Sequence, residues 1–255
     1  MRTIDMDVHL SSDNAGISIT AEQLIPDMDK NEVEKSVTWP MQNYLRQVSQ
    51  DNKAIAIAAK KYPDRIIPFG GINPVLGLEE SIEELKRCIY EYGMRGIKLN
   101  GARDGYHIND KKLAYPVIEK LAENGLIFAT HCGSNSPIHS HPFLIREISK
   151  DFPKLKIIMV HMGGSGVPSE GLYDAAIQVV AECPNVYLAP SEADPRAIIK
   201  AIKILGPEKI CFASDNPFVM LKVSLAIYNA ILDDFDANTK KLVMYGNAEK
   251  LFGLK

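Results

Sequence analysis

The feature that most constrains this chain is a repeated two-part pattern, in which a short apolar run of strand length precedes a longer segment whose apolar residues return every three or four positions. Such runs fall at 3–9, 33–38, 65–72, 95–100, 126–131, 156–161, 186–191 and 210–215. Between them, Leu78, Ile82, Leu85, Ile89 and Tyr92 lay one apolar stripe along a helix, and Leu113, Val117 and Leu121 repeat it before the stop Asn124-Gly125. Thr20 with Gln23 three residues on is a capping box, and Ile198, Ile199, Ile202 and Leu205 run into Gly206-Pro207, which ends a helix by its chemistry. Eight strands alternating with helices close a TIM barrel, so the expected fold is α/β, a (β/α)8 barrel, with residues 1–255 as one domain. A doubly wound sheet shares the alternation but usually carries a Gly-rich phosphate turn after its first strand, and none follows Asp7-Val8-His9.

Charge narrows the partners. The formal net charge is -3, with acidic and basic residues spread along the chain, which leaves no basic footprint for nucleic acid or a membrane surface and points to a small-molecule substrate. Cys88, Cys132, Cys183 and Cys211 form no CxxC pair, so neither a disulfide framework nor a zinc knuckle is expected and a reducing cytoplasm fits. Asp5 and Asp7 interrupt the apolar core a signal peptide needs, and no run is long and apolar enough to span a bilayer.

In a TIM barrel the chemistry sits at the C-terminal ends of the strands, so polar residues that end apolar runs are the informative ones. The first run ends Asp7-Val8-His9, and the two-residue period of a strand turns both side chains to one face. The fifth ends at His131, the sixth at His161 and the eighth at Asp215, while Lys98 and Asn100 share a face of the fourth. Closure would bring Asp7, His9, His131, His161 and Asp215 around one opening. A lone His or Asp in a barrel is more often a satisfied structural group than a ligand, but five at the ends of four strands indicate a shared site. Imidazole nitrogen and carboxylate oxygen suit Zn2+ at roughly 2.0–2.2 Å with one position open for water or substrate. Mn2+ or Fe2+ fit the same donors. His161 suits an acid/base role, because a neutral imidazole beside a metal-bound water carries protons near neutral pH.

These residues, with Gly96-Ile97-Lys98-Leu99, Thr130-His131-Cys132-Gly133, Val160-His161-Met162-Gly163-Gly164, Ala213-Ser214-Asp215-Asn216-Pro217 and Asn247-Ala248-Glu249-Lys250-Leu251-Phe252-Gly253-Leu254, resemble the amidohydrolase-related branch of the amidohydrolase superfamily, with its aminocarboxymuconate-semialdehyde decarboxylase-like metal-dependent enzymes. The resemblance covers almost the whole chain in family order. It implies metal ligation by Asp7, His9, His131 and Asp215, with His161 acting beside the metal, and it suggests a homo-oligomer. The departure is Asp7, where family members commonly place His.

Lys98 has two readings, carbamylation to bridge two metals or an ammonium that binds a substrate carboxylate, and the second is preferred. His139 and His141, in the stretch after the fifth strand, are candidate substrate contacts beside Asn100, with exposed structural histidines as the alternative. Trp39, near the end of the second strand, is a candidate pocket wall or a packing residue. His107, Arg103 and Asn73 are weaker candidates, and Cys132 reads as packing. The expected activity is hydrolysis of a small, anionic ester, lactone or amide by a metal-activated water, with His161 and Asp215 catalytic. One alternative is non-oxidative decarboxylation of an aromatic or unsaturated carboxylic acid. Another is a non-catalytic ligand-binding barrel.

Overall fold

The computed structural model describes residues 2–41, 48–133, 136–164 and 170–254. Seven parallel strands form one sheet in chain order: β1 (Ile4–Leu10), β2 (Lys35–Pro40), β3 (Ile66–Gly71), β4 (Gly96–Leu99), β5 (Ile127–Gly133), β6 (Ile157–Gly163) and β7 (Val186–Ala189). Parallel neighbours need a crossover, and the helices supply it on the outer face while side chains of the strands themselves fill the inner one, so all seven residues of β1 are buried.

The buried apolar residues divide into two clusters by strand parity. One joins Val8, Leu10, Ile97, Leu99, Phe128, Cys132, Ile157 and Met159 to the crossover helices, for example to Leu24 and Met28 of the helix Ala21–Lys30. The other joins Ile4, Met6, Val37, Trp39, Ile67, Phe69, Ala129, Ile158 and Val160 on the opposite, concave face. Ala248, Leu251 and Phe252 of the helix Asn247–Phe252 complete that inner cluster. Arg95 donates to the Phe252 carbonyl oxygen at 2.6 Å and Lys156 to that of Leu251 at 2.7 Å. Both cations immediately precede a strand, so this last helix covers the N-terminal ends and leaves the mouth at the C-terminal ends.

One register shift sets the face of the first polar pair. Ile4 and Met6 belong to the inner cluster but Val8 and Leu10 to the outer one, and the pairing of β1 with β2 shifts between Asp5 and Val8. An extra residue in a strand changes which face the following side chains take. Beyond the shift, Asp7 and His9 alternate with the outward Val8 and Leu10 and therefore point inward. The fold is TIM-barrel-like.

The expected eighth strand is not formed. Segment 210–216 lies between β7 and β1 but makes only two isolated bridges, Ile210 with Leu188 and Asn216 with Val8. Cys211 N donates to Leu188 O at 2.9 Å, Met6 N to Phe212 O at 3.0 Å, and Asp215 N to Asp7 O at 2.9 Å. Side chains take over what would otherwise be ladder positions. Ser214 N donates to Asp5 Oδ1 at 2.9 Å and Asn216 N to Ser214 Oγ at 3.0 Å, while Asp215 has φ +62°. Seven strands, rather than eight, is the physical outcome of this side-chain competition with the ladder.

Asp5 is fully buried and accepts three bonds, from Asp7 N at 3.1 Å, Ser214 N at 2.9 Å and Ser214 Oγ at 2.5 Å. Burial pushes its carboxyl up to about 7 despite these donors. Replacing it by Ala strands two buried N–H groups and a hydroxyl. Asp5→Ala is expected to lose about 3 kcal/mol of stability in urea unfolding; a loss within about 0.5 kcal/mol would show that the segment is held by other means.

Candidate metal centre

The first donor is fixed from behind. His9 Nδ1 lies 3.0 Å from the Pro40 carbonyl oxygen, an acceptor, so Nδ1 carries the proton and Nε2 keeps a lone pair. Trp39 Nε1 donates to that Nε2 at 3.2 Å. Trp39 sits inside β2 and is fully buried, so it backs His9 instead of walling the mouth. The strand runs two residues past its expected end at 38, which is what takes the indole inside.

Asp7, equally buried, accepts from Ser191 Oγ at 2.5 Å on Oδ2, and Lys98 Nζ approaches Oδ1 at 3.4 Å. Asp215 Oδ1 lies 3.2 Å from His9 Nε2 and has no hydrogen-bond partner among the described residues. Two acceptor atoms therefore face each other in a buried setting, Nε2 with the Trp39 donor and Oδ1 with none, and an orphaned buried oxygen costs free energy unless a cation reaches it. Asp7, His9 and Asp215 each offer a donor atom within 4.8 Å of the others, and the N, O, O set suits a divalent ion.

His161, Glu192 and Asp215 form a second triad on the same criterion, sharing Asp215 with the first. His161 Nδ1 faces the Ser191 carbonyl oxygen at 3.2 Å and Ser191 Oγ at 3.0 Å. His131 joins neither triad; its ring packs edge-on to His161 with centroids 4.7 Å apart. Backbone strain gathers here. Of the five non-glycine residues with positive φ among those described, His161, Met162, Glu192 and Asp215 are at or beside the mouth, and only Glu32 is elsewhere. Each such residue costs of order 1 kcal/mol or more and persists where its surroundings over-determine it.

The amidohydrolase family pattern matches residues 4–254. The chain belongs to the amidohydrolase family. It is 24% identical over 236 residues to a 2-amino-3-carboxymuconate-6-semialdehyde decarboxylase of Dictyostelium discoideum, covering 80% of this chain but only 65% of that protein. It is also 24% identical over 254 residues to a gamma-resorcylate decarboxylase of a Polaromonas species, covering 80% of this chain and 75% of that one. A solved dihydroxybenzoic acid decarboxylase from Polaromonas, with manganese and the inhibitor 2-nitroresorcinol bound to it, matches the fold at a TM-score of 0.77 and 19% identity over 99% of this chain and 97% of that one.

Within this amidohydrolase, burial dominates the electrostatics of the mouth. It pushes His9 and His131 well below the ordinary histidine range and His161 down to about 3, with Lys98 adding to each shift. Burial also lowers Lys98, against the pull of Asp7 and Asp215, and raises Asp215 well above the carboxylate range, with Asp7 reinforcing the rise. The imidazoles are therefore neutral at neutral pH and present lone pairs, while the Asp215 carboxyl, hydrogen-bonded to Glu192, is pushed toward its protonated form.

The remaining candidates lie apart from both triads. Asn100 caps the short helix Gly101–Asp104, accepting from Arg103 N at 3.1 Å. His141 caps the helix Pro142–Asp151, its Nδ1 accepting from Phe143 N at 3.2 Å, and His139 pairs with Ser136 Oγ at 2.8 Å and with the His107 ring. Sequence reasoning missed Ser191 and Glu192. The apolar run ending Leu188-Ala189-Pro190-Ser191 carried the signal, because the seventh strand also ends on polar residues. Ser191→Ala would leave the buried Asp7 Oδ2 without its hydroxyl donor, and urea unfolding is expected to show a loss of about 2 kcal/mol. An unchanged midpoint would mean that another group reaches Asp7.

Proposed function

We propose that the protein is a divalent-metal-dependent, non-oxidative decarboxylase of a small aromatic or unsaturated carboxylic acid. The carrying observation is the buried Asp215, with one oxygen orphaned against His9 Nε2 and its carboxyl hydrogen-bonded to Glu192. The two related decarboxylases and the manganese-bearing neighbour support the same chemistry, and they favour it over the hydrolytic reading first expected.

Asp7, His9 and Asp215 would hold the ion, with His131 retained as an expected ligand on family grounds. Mn2+ stands beside Zn2+ as a candidate. When bound, the ion supplies positive charge that stabilises negative charge on substrate oxygens. Ser191 Oγ orients Asp7 and, with its own carbonyl, fixes the His161 tautomer, leaving Nε2 of His161 as an acceptor for a substrate hydroxyl. Asp215 Oδ1 faces His9, which leaves Oδ2 for the Glu192 hydrogen bond and for the proton. Loss of CO2 leaves an electron pair on carbon, and Asp215 Oδ2 delivers its proton there; Glu192 lies next to it and orients that carboxyl. A single domain over 1–255 belongs to the same reading.

The test is a panel of hydroxybenzoates and unsaturated dicarboxylates set beside esters, lactones and amides, offered to protein stripped with chelator and reloaded with Mn2+ or Zn2+. CO2 release that needs the metal is expected. Acid release from an ester or lactone without CO2 would return the protein to the hydrolases. In the active assay, Asp215→Asn is expected to lower kcat at least about a thousandfold, in keeping with loss of both a general acid and a ligand.

A further inference from the structure

Among the described residues, Lys98 is the one lysine or arginine that is buried, at 1% exposure. Its Nζ is enclosed by Asp7 Oδ1 at 3.4 Å, His9 Nε2 at 3.3 Å and the Trp39 ring, whose centroid is 4.0 Å away. Each of these offers electron density to a cation: a carboxylate, an imidazole lone pair and the face of an indole. Because His9 has spent its N–H on Pro40, its Nε2 can only accept, and Nζ shares that lone pair with Trp39 Nε1, which donates at 3.2 Å. The ammonium therefore occupies two of the three donor groups that make up the Asp7, His9 and Asp215 set.

That placement argues against the role first expected for Lys98, binding of a substrate carboxylate. A carboxylate would have to displace Asp7 or His9, or enter past the indole, to reach Nζ. Carbamylation is disfavoured on the same ground, since it would put a negative group 3.4 Å from a buried carboxylate oxygen.

We propose that Lys98 is an internal competitor for the metal. In the metal-free protein its ammonium stands in for the ion, neutralising Asp7 and holding His9 Nε2. When the ion arrives, Lys98 yields those lone pairs and remains a like charge beside it. A donor set that would fold poorly while empty is thereby kept assembled, and its affinity is held below what Asp7, His9 and Asp215 would give alone. The inference rests on the metal-dependent reading above, but it concerns affinity and not turnover.

Isothermal titration of chelator-stripped full-length protein with Mn2+ tests it, comparing wild type with Lys98→Met, Lys98→Gln and Lys98→Arg. The two neutral variants are expected to bind Mn2+ at least tenfold more tightly than wild type, and the arginine variant no more tightly. Two neutral side chains of different polarity guard against one of them failing to fold. Without metal, the neutral variants are also expected to melt below wild type and to gain more in Tm when Mn2+ is added. Equal or weaker binding by the neutral variants overturns the role of Lys98 while leaving metal dependence standing. Absence of Mn2+ binding in every form overturns both.

Discussion

The carboxyl group of Asp5 lies between the first strand and the final segment of the curled sheet, where it takes three hydrogen bonds from Ser214 and Asp7. Everything at the mouth is referred to that junction. Asp7 and His9 follow Asp5 along one chain segment, and Asp215 follows Ser214 along the other, so the spacing of the donors is set by a buried polar contact behind them. A buried carboxyl that accepts from backbone N–H groups is costly to desolvate and costly to remove, which makes such a junction stiff. The apolar cluster on the concave face and the helix Asn247–Phe252 support it from the opposite end.

Charge at the mouth follows from burial more than from any single pair. Low polarity holds the three histidines neutral and raises the Asp215 carboxyl, while carbonyl oxygens of Pro40 and Ser191 select the Nδ1 tautomers of His9 and His161. The result is a set of lone pairs aimed from fixed positions, which is the preorganisation that metal binding requires. Lys98 balances the set from within. Buried ions of this kind contribute little to stability on their own, but removal of one partner leaves the other charge uncompensated.

Strand parity made most of the site legible beforehand. Asp7, His9, Lys98 and Asp215 come together because apolar runs end in polar residues at the end of the fold where α/β barrels place chemistry. Other features were hidden for identifiable reasons. The inward aim of Asp7 and His9 depends on a register shift that reverses the inner face after Met6, which simple alternation does not reveal. Trp39 was placed at a strand end because β2 runs two residues further than its apolar pattern. Glu192 owes its position to a left-handed turn at φ +56°, and a non-glycine residue gives no local cue for that conformation. The polar residues Asn100 and His141, candidate substrate contacts, also serve backbone N–H groups at helix starts, a use that their side-chain chemistry shares with substrate binding.

The bond from Ser214 to Asp5 spans 209 positions of sequence. Contacts so distant carry a large loop-closure entropy that the local βα units do not, and until they close the junction is unmade. Until then Asp5 and Asp7 remain in water, where their charges are cheap, and β1 lacks the neighbour that will bury them. Chemistry in this fold is therefore coupled to a junction between the two ends of the sheet: the donor set is complete only when β1 and the segment 210–216 have met, so capture of the ion reports the finished fold rather than any of its parts.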